Sequence, residues 1–519
     1  MNRLVADMVY KEIEARNALT ISSRHEQCNG RNDQPPSNMM NRRSFLAGGA
    51  ATCFLTSAPG ILSAQGAAAS ATLALDTKAP RIALPLDYTG LSYESAQLAN
   101  PGYFSRSNTQ LVKLVRQLGA KGVLRIGGST SDYDRWNPVR VQRGASWSDP
   151  ANPDNGQVET VRAVVTETAI DELRGFLDAT GWTAIYGVDL GHGSPEAAAD
   201  ETAYVVKRLG PTLIAVQIGN EPDLFSRDIR KSSYGYADYL QEWQSFAAAI
   251  RRRTPDAPLA GPDISNEISW ADQFARQATG IRMLTSHYYA EGPPESPDSD
   301  IKHLLQPQPD LIEQMRKLVE DGKAAKVPYR MSEGNSCYDG GKAGVSDSFA
   351  SALWGADFML LLAQMGVAGI NFHGGGQGFY TPIAGGGSAP LEARPLYYGM
   401  LFYREFASGS LIPCRLDAGG VNATAYACFN ARGRLALAVI NKDLRQDLHL
   451  NLQGDVFLRP SRTIALQAPG ADSKTDIRLG GQSLVSGSWN PVYSPRERSS
   501  AVHVPKTSSM LIEFEGVTL

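Results

Sequence analysis

The sequence predicts an α/β fold, a (β/α)8 barrel of the TIM type with an appended all-β sandwich domain. Two observations carry that expectation. Between Gly90 and about Gly375, eight short apolar runs alternate with helical stretches. After Tyr397 the helical patterns give way to strand-like alternation and turn residues that continue to the end of the chain. A chain of 519 residues is long enough for both parts.

The eight runs are Gly90–Ser95, Gly122–Gly127, Thr183–Leu190, Leu213–Gly219, Leu259–Ile264, Met283–Ala290, Val327–Ser332 and Gly369–Phe372. Parallel strands covered on both sides lack polar alternation and read as continuous apolar segments, as these do. Between them lie patterns such as Leu111, Val112, Leu114, Val115 and Leu118, spaced for one helix face. Thr424–Phe429, Leu435–Asn441 and Met510–Phe514 read as strands of a sandwich of roughly 110 residues. The expected organisation is a leader over 1–71, strands completing the sandwich over 72–86, the barrel over 87–400 and the sandwich over 401–519.

Residues 1–38 are polar and aperiodic, and a start at Met39 or Met40 fits the segment that follows. Arg42-Arg43-Ser44-Phe45-Leu46, then a weakly apolar stretch to about Leu62, resembles a twin-arginine export signal. Ala69-Ser70-Ala71 offers a small-residue cleavage site before Thr72. The expectation is export in folded form through the twin-arginine machinery, to the periplasm or outside the cell. Beyond the leader, no apolar run reaches the roughly 18 residues of a membrane span. A net charge of −3 gives no footprint for nucleic acid. Three cysteines remain after the leader, and Cys414 and Cys428 stand on neighbouring strands where they could pair, leaving Cys337 free.

Two glutamates carry the chemistry. Glu221 closes the fourth run in Gly219-Asn220-Glu221-Pro222, and Glu333 closes the seventh. The carboxyl ends of barrel strands open onto the active-site face, so the pair can flank one bond. A retaining glycoside hydrolase needs this: one carboxyl protonated to donate to the leaving oxygen, the other ionised to attack the anomeric carbon. Asn220 is placed to hydrogen-bond a sugar hydroxyl.

Asn-Glu-Pro on strand four with Glu on strand seven is the pattern of the large barrel clan of retaining glycosidases. Gln217-Ile218-Gly219-Asn220-Glu221-Pro222, Ser286-His287-Tyr288-Tyr289, Ser332-Glu333-Gly334-Asn335-Ser336 and Gly378-Phe379-Tyr380 together resemble glycoside hydrolase family 79, which contains β-glucuronidases and heparanases. The resemblance covers nearly all of the chain after the leader. It implies Glu221 as acid/base and Glu333 as nucleophile, with no cofactor and no metal. It implies that Tyr338, Tyr380 and the amide of Gly378 hold a glucuronate carboxylate, and that Tyr289 orients the nucleophile. Glu94 and Ser129 or Ser131 would bind sugar hydroxyls; animal heparanases carry Asp where this chain has Glu94.

Basic residues follow strands two (Arg135, Arg140, Arg143), four (Arg227, Arg230, Lys231) and seven (Lys342), as candidate subsites for sulfates or carboxylates of a long glycan. The expected function is a retaining β-glucuronidase with heparanase-like endo action on a heparan sulfate-type polysaccharide. The alternatives are an exo-acting β-glucuronidase, another clan specificity such as arabinofuranosidase or xylosidase, and a non-catalytic glycan-binding protein. His373-Gly374-Gly375-Gly376 has no Gly-x-Ser-x-Gly elbow to serve, and Gly374–Gly378 lacks phosphate-binding spacing. His287 and His373 have no third histidine at ligand spacing.

Overall fold

The computed structural model describes residues 70–76, 78–138, 163–386, 389–407, 409–430, 433–452, 459–484, 489–495 and 501–518. All belong to one compact unit, Gln65–Leu519. The twin-arginine segment, Arg140 and Arg143 lie outside the described residues.

Eight parallel strands close into a barrel: β1 (Thr89–Glu94), β2 (Val123–Gly127), β3 (Thr183–Val188), β4 (Leu213–Ile218), β5 (Leu259–Ile264), β6 (Met283–Glu291), β7 (Tyr329–Cys337) and β8 (Ile370–Gly374). Each is followed by a helix: α1 (Thr109–Leu118), α2 (Glu167–Thr180), α3 (Pro195–Leu209), α4 (Tyr236–Arg253), α5 (Ile268–Gln277), α6 (Pro309–Ala325), α7 (Phe349–Gln364) and α8 (Pro395–Phe406). Local sequence sets the helix starts. Asn108, Thr166 and Ser194 each accept a backbone N–H from the first turn of α1, α2 and α3, and Pro195 occupies a position where no N–H is needed. The apolar stripe Leu111, Leu114, Val115 and Leu118 packs α1 onto the barrel, as the spacing predicts.

The strands are apolar on both faces because they bury both. Leu124, Ile126, Tyr186, Val216 and Ile218 join the large core between strands and helices. Val123, Ile185, Ala215, Ala260 and Met283 form a small separate core within the barrel. Toward the carboxyl ends the interior turns polar, with Arg125, Gln217, Asp263, Thr285 and Ser332 all buried.

The sandwich follows: β9 (Gly409–Ile412), β10 (Cys414–Asp417), β11 (Ala423–Asn430), β12 (Arg434–Asn441), β13 (Leu448–Asn451), β14 (Arg459–Gln467), β15 (Arg478–Leu479), β16 (Ser494–Pro495), β17 (Ala501–Val504) and β18 (Ser508–Thr518). A leading strand, Ser70–Leu75, lies between β10 and β13 in a four-stranded sheet, while Ile82–Ala83 pairs with β9 at the edge of the larger sheet. Strand β12 alternates strictly. Leu435, Leu437 and Val439 face the smaller sheet, and Ala436, Ala438 and Ile440 join the core shared with the barrel. This places α7 and α8 between two hydrophobic layers, and nearly every residue of α7 is buried.

Three expectations need correction. The boundary at 400/401 falls inside α8, which runs to Phe406 because its apolar face continues into the shared core. Ser70 and Ala71, assigned to the leader, lie in the leading strand, where Ala71 is fully buried in the sandwich core. Cys414 and Cys428 do not pair: Cys414 packs in the sandwich core, whereas Cys428 faces the barrel and donates to the carbonyl of Phe406. No helix among the described residues is long and apolar enough to cross a membrane.

Candidate active site

Glu221 and Glu333 meet at the carboxyl-terminal mouth of the barrel, reaching it by different devices. Glu221 follows β4 in a left-handed backbone conformation (φ 48°), and its N–H donates to the carbonyl of Asp263 at 2.9 Å. Such a conformation in a non-glycine residue persists only when its surroundings enforce it. Glu333 does not close its strand as the sequence suggests; β7 continues to Cys337. Between Met331 and Glu333 the strand gains one residue on β6. This bulge lets consecutive side chains serve the interior, Ser332 bonding Asp263 and Glu333 reaching Arg125. One carboxylate oxygen of Glu221 and one of Glu333 lie within 4.8 Å of each other.

Arg125 organises the floor beneath them. Its guanidinium, almost completely buried, donates to Glu333 Oε2 at 2.5 Å, Asp263 Oδ2 at 2.7 Å, Asn220 Oδ1 at 2.7 Å, Gln217 Oε1 at 3.1 Å and Ser92 Oγ at 3.2 Å. A planar guanidinium with five donors suits such a convergence, where a lysine would not. Tyr289 donates to Glu333 Oε1 at 2.7 Å, and His373 Nδ1 lies 3.3 Å from Oε2. Burial works against an ionised Glu333, but the charges of His373, His287 and Arg125 and the Tyr289 hydrogen bond prevail and hold its carboxyl down to about 2. His287 lies between the carboxylates, Nδ1 2.9 Å from Glu221 Oε1 and Nε2 3.2 Å from Asp263 Oδ2. Burial opposes its protonation, yet Asp263 and Glu333 raise its pKa well above the ordinary value.

The mouth opens into a cavity of about 790 Å³. Glu94 lines it, with Oε2 accepting from the N–H (2.8 Å) and hydroxyl (2.7 Å) of Thr130 and Oε1 3.4 Å from His373 Nε2. Gly128 must be glycine here: its φ is 72°, and a Cβ would sit 2.5 Å from the Glu94 carboxyl carbon. Ser129, Tyr289, Tyr338, Tyr380 and Arg227 also line the cavity, whereas Ser131 is buried and donates to the carbonyl of Gly128. The Tyr289 ring packs 6.2 Å from Tyr380 and 6.4 Å from Tyr338.

Other expected site residues stand elsewhere. Asn220 is buried below the wall, bound to Arg125 and, through its N–H, to Asp132. Gly378 is outside the cavity lining, and its carbonyl accepts from Arg394 at 2.7 Å. Of the basic subsites, Arg135 is exposed in a short strand away from the cavity. Arg230 is committed to Glu242 and to the carbonyls of Leu190 and Gly191, with its guanidinium over Phe225. Lys342 reaches the carbonyl of Ser296 at 3.0 Å and ties two loops together. Of the described basic side chains expected at subsites, only Arg227 lines the cavity.

No family model matches the chain. Among curated proteins it is 24% identical over 457 residues to the beta-glucuronidase of Aspergillus niger, spanning 81% of this chain and 82% of that one. It is 21% identical to the heparanase of Mus musculus, over 79% and 85% of the two chains. Among solved structures, the 4-O-alpha-L-rhamnosyl-beta-D-glucuronidase from Fusarium oxysporum 12S superimposes with a TM-score of 0.69 at 18% identity, covering 85% of this chain and 100% of that one. The structural likeness establishes the shared barrel-and-sandwich fold, and the curated relatives carry the two activities toward which the motifs pointed.

Proposed function

We propose that this chain is a retaining β-glucuronidase that hydrolyses β-linked glucuronic acid in glycans. The observation that carries the reading is the carboxylate spacing. Oxygens within 4.8 Å of each other suit direct attack by one carboxylate. The curated relatives named beta-glucuronidase and heparanase support glucuronate as the sugar.

The environment of Glu333 supports its part in the division of labour. Glu333, kept ionised by Arg125 and the two histidines, attacks the anomeric carbon and forms a glycosyl ester. Glu221 gives its proton to the departing oxygen, and the His287 imidazolium stabilises the carboxylate left behind. Glu221 then takes a proton from the water that releases the sugar. Tyr289 fixes one oxygen of Glu333 while Arg125 fixes the other, so attack needs little reorganisation. Phenol donors Tyr338 and Tyr380 are suited to the glucuronate carboxylate.

The test is proton NMR of 4-nitrophenyl β-D-glucuronide turnover. The β-anomer of glucuronic acid is expected first, with the α-anomer following by mutarotation. First appearance of the α-anomer would exclude retention. Cleavage of neutral arabinofuranosides or xylosides with no action on the glucuronide would move the protein to another specificity of the clan.

A further inference from the structure

Resting on the glucuronidase reading, we propose that the leaving-group side of this cavity selects an uncharged sugar and turns away sulfated or carboxylated ones. A proton donor must stand beside the oxygen it protonates, so the walls next to Glu221, formed by the loops after β4, β5 and β6, receive the departing residue. Those walls are acidic. Glu291, at the end of β6, is only 6% exposed, and its Oε2 has no hydrogen-bond partner. Asp298 and Asp310 line the same side and are exposed to solvent. His303 lies 3.3 Å from Glu291 and partly offsets it, and among the described residues of the lining Arg227 is the permanent cation.

Two basic side chains of the neighbouring loops are engaged elsewhere, Arg230 with Glu242 and Lys342 with the carbonyl of Ser296. An anionic substituent entering here meets the like charge of Asp298 and Asp310, so steering and binding both suffer. A neutral sugar instead brings hydroxyl donors to a wall rich in acceptors.

Two disaccharides differing in one group provide the test: β-D-glucuronosyl-(1→4)-N-acetylglucosamine and its 6-O-sulfate, compared in about 0.02 M and about 0.5 M salt. At low salt, kcat/KM for the neutral compound should exceed that for the sulfated one by about tenfold or more, and high salt should shrink the gap. The double variant Asp298→Asn/Asp310→Asn should narrow it by about threefold, through a faster reaction of the sulfated compound. Equal rates at low salt, or a gap indifferent to the double variant, would overturn the proposal. If neither compound is cleaved, the glucuronidase reading fails on its own. Calorimetric binding of the two compounds to the Glu333→Gln protein then decides the selection separately, and tighter binding of the sulfated form overturns it.

Discussion

Two layers of the barrel interior stand two or three residues apart on the same strands and follow opposite rules. Below, Val123, Ile185, Ala215, Ala260 and Met283 close the barrel with apolar contacts. Above, Arg125, Gln217, Asp263 and Thr285 are just as deeply buried but joined by hydrogen bonds and charge. Removing water from apolar groups stabilises the fold, whereas removing it from ions is repaid only when each finds its partners. The lower layer therefore holds the barrel together, and the upper one holds Glu333 ionised and aimed.

That contrast can be broken by substitution. The largest effect belongs to Glu333→Ala, expected to lower glucuronide turnover on the order of 10⁴-fold, because it removes the proposed nucleophile. Steady-state kinetics on the purified variant checks it, and residual activity near wild type would remove Glu333 from the mechanism. Arg125→Leu comes next. It strands Asp263 and Glu333 in the interior and should cost about 3–5 kcal/mol of stability by denaturant unfolding, with turnover falling as well. Ile185→Ala, in the lower layer, should cost about 2–5 kcal/mol through the cavity it leaves, with kcat/KM at wild-type level wherever the protein is folded. A large kinetic defect in Ile185→Ala would mean the layers are not separable.

A smaller effect is expected at Gly292, whose φ is 141° and whose added Cβ would fall 2.1 Å from Tyr338 Cε1. Gly292→Ala must push that ring from the cavity wall, so KM for glucuronides should rise about tenfold while kcat changes little. A further effect concerns pH. Burial raises Glu291 from its ordinary 4.5 to about 7, against the influence of His303. The folded protein thus binds a proton there that the unfolded chain releases, and stability declines as pH rises from about 4.5 to about 7. Melting temperatures of Glu291→Gln should gain on wild type across that window, and parallel curves would show that Glu291 titrates normally.

The same two layers mark how far the sequence could be read. The eight strands were legible because burial on both faces leaves continuous apolar runs, and Glu221 because a glutamate between asparagine and proline ends one of them. Glu333 was found but its geometry was not, since a bulge adds one residue without altering composition. Arg125 and Asp263 escaped assignment although each breaks an otherwise apolar run. Opposite charges in two buried strands are a signal that they meet, and those residues form the salt bridge at 2.7 Å. The basic loops misled for the opposite reason. Sequence places Arg230 and Lys342 after the right strands but cannot show that Glu242 and the carbonyl of Ser296 capture them. The cysteines likewise stand on strands successive in sequence, but β10 belongs to the smaller sheet and β11 to the larger, so they face different layers.

Whether Glu333 becomes covalently bound to the sugar can be decided by trapping. The protein is incubated with 2-deoxy-2-fluoro-β-D-glucuronosyl fluoride, digested, and its peptides weighed by mass spectrometry. One added fluoroglucuronosyl group is expected, on the peptide carrying Glu333, in step with loss of activity. A label on another residue, or inactivation without any covalent label, would contradict it.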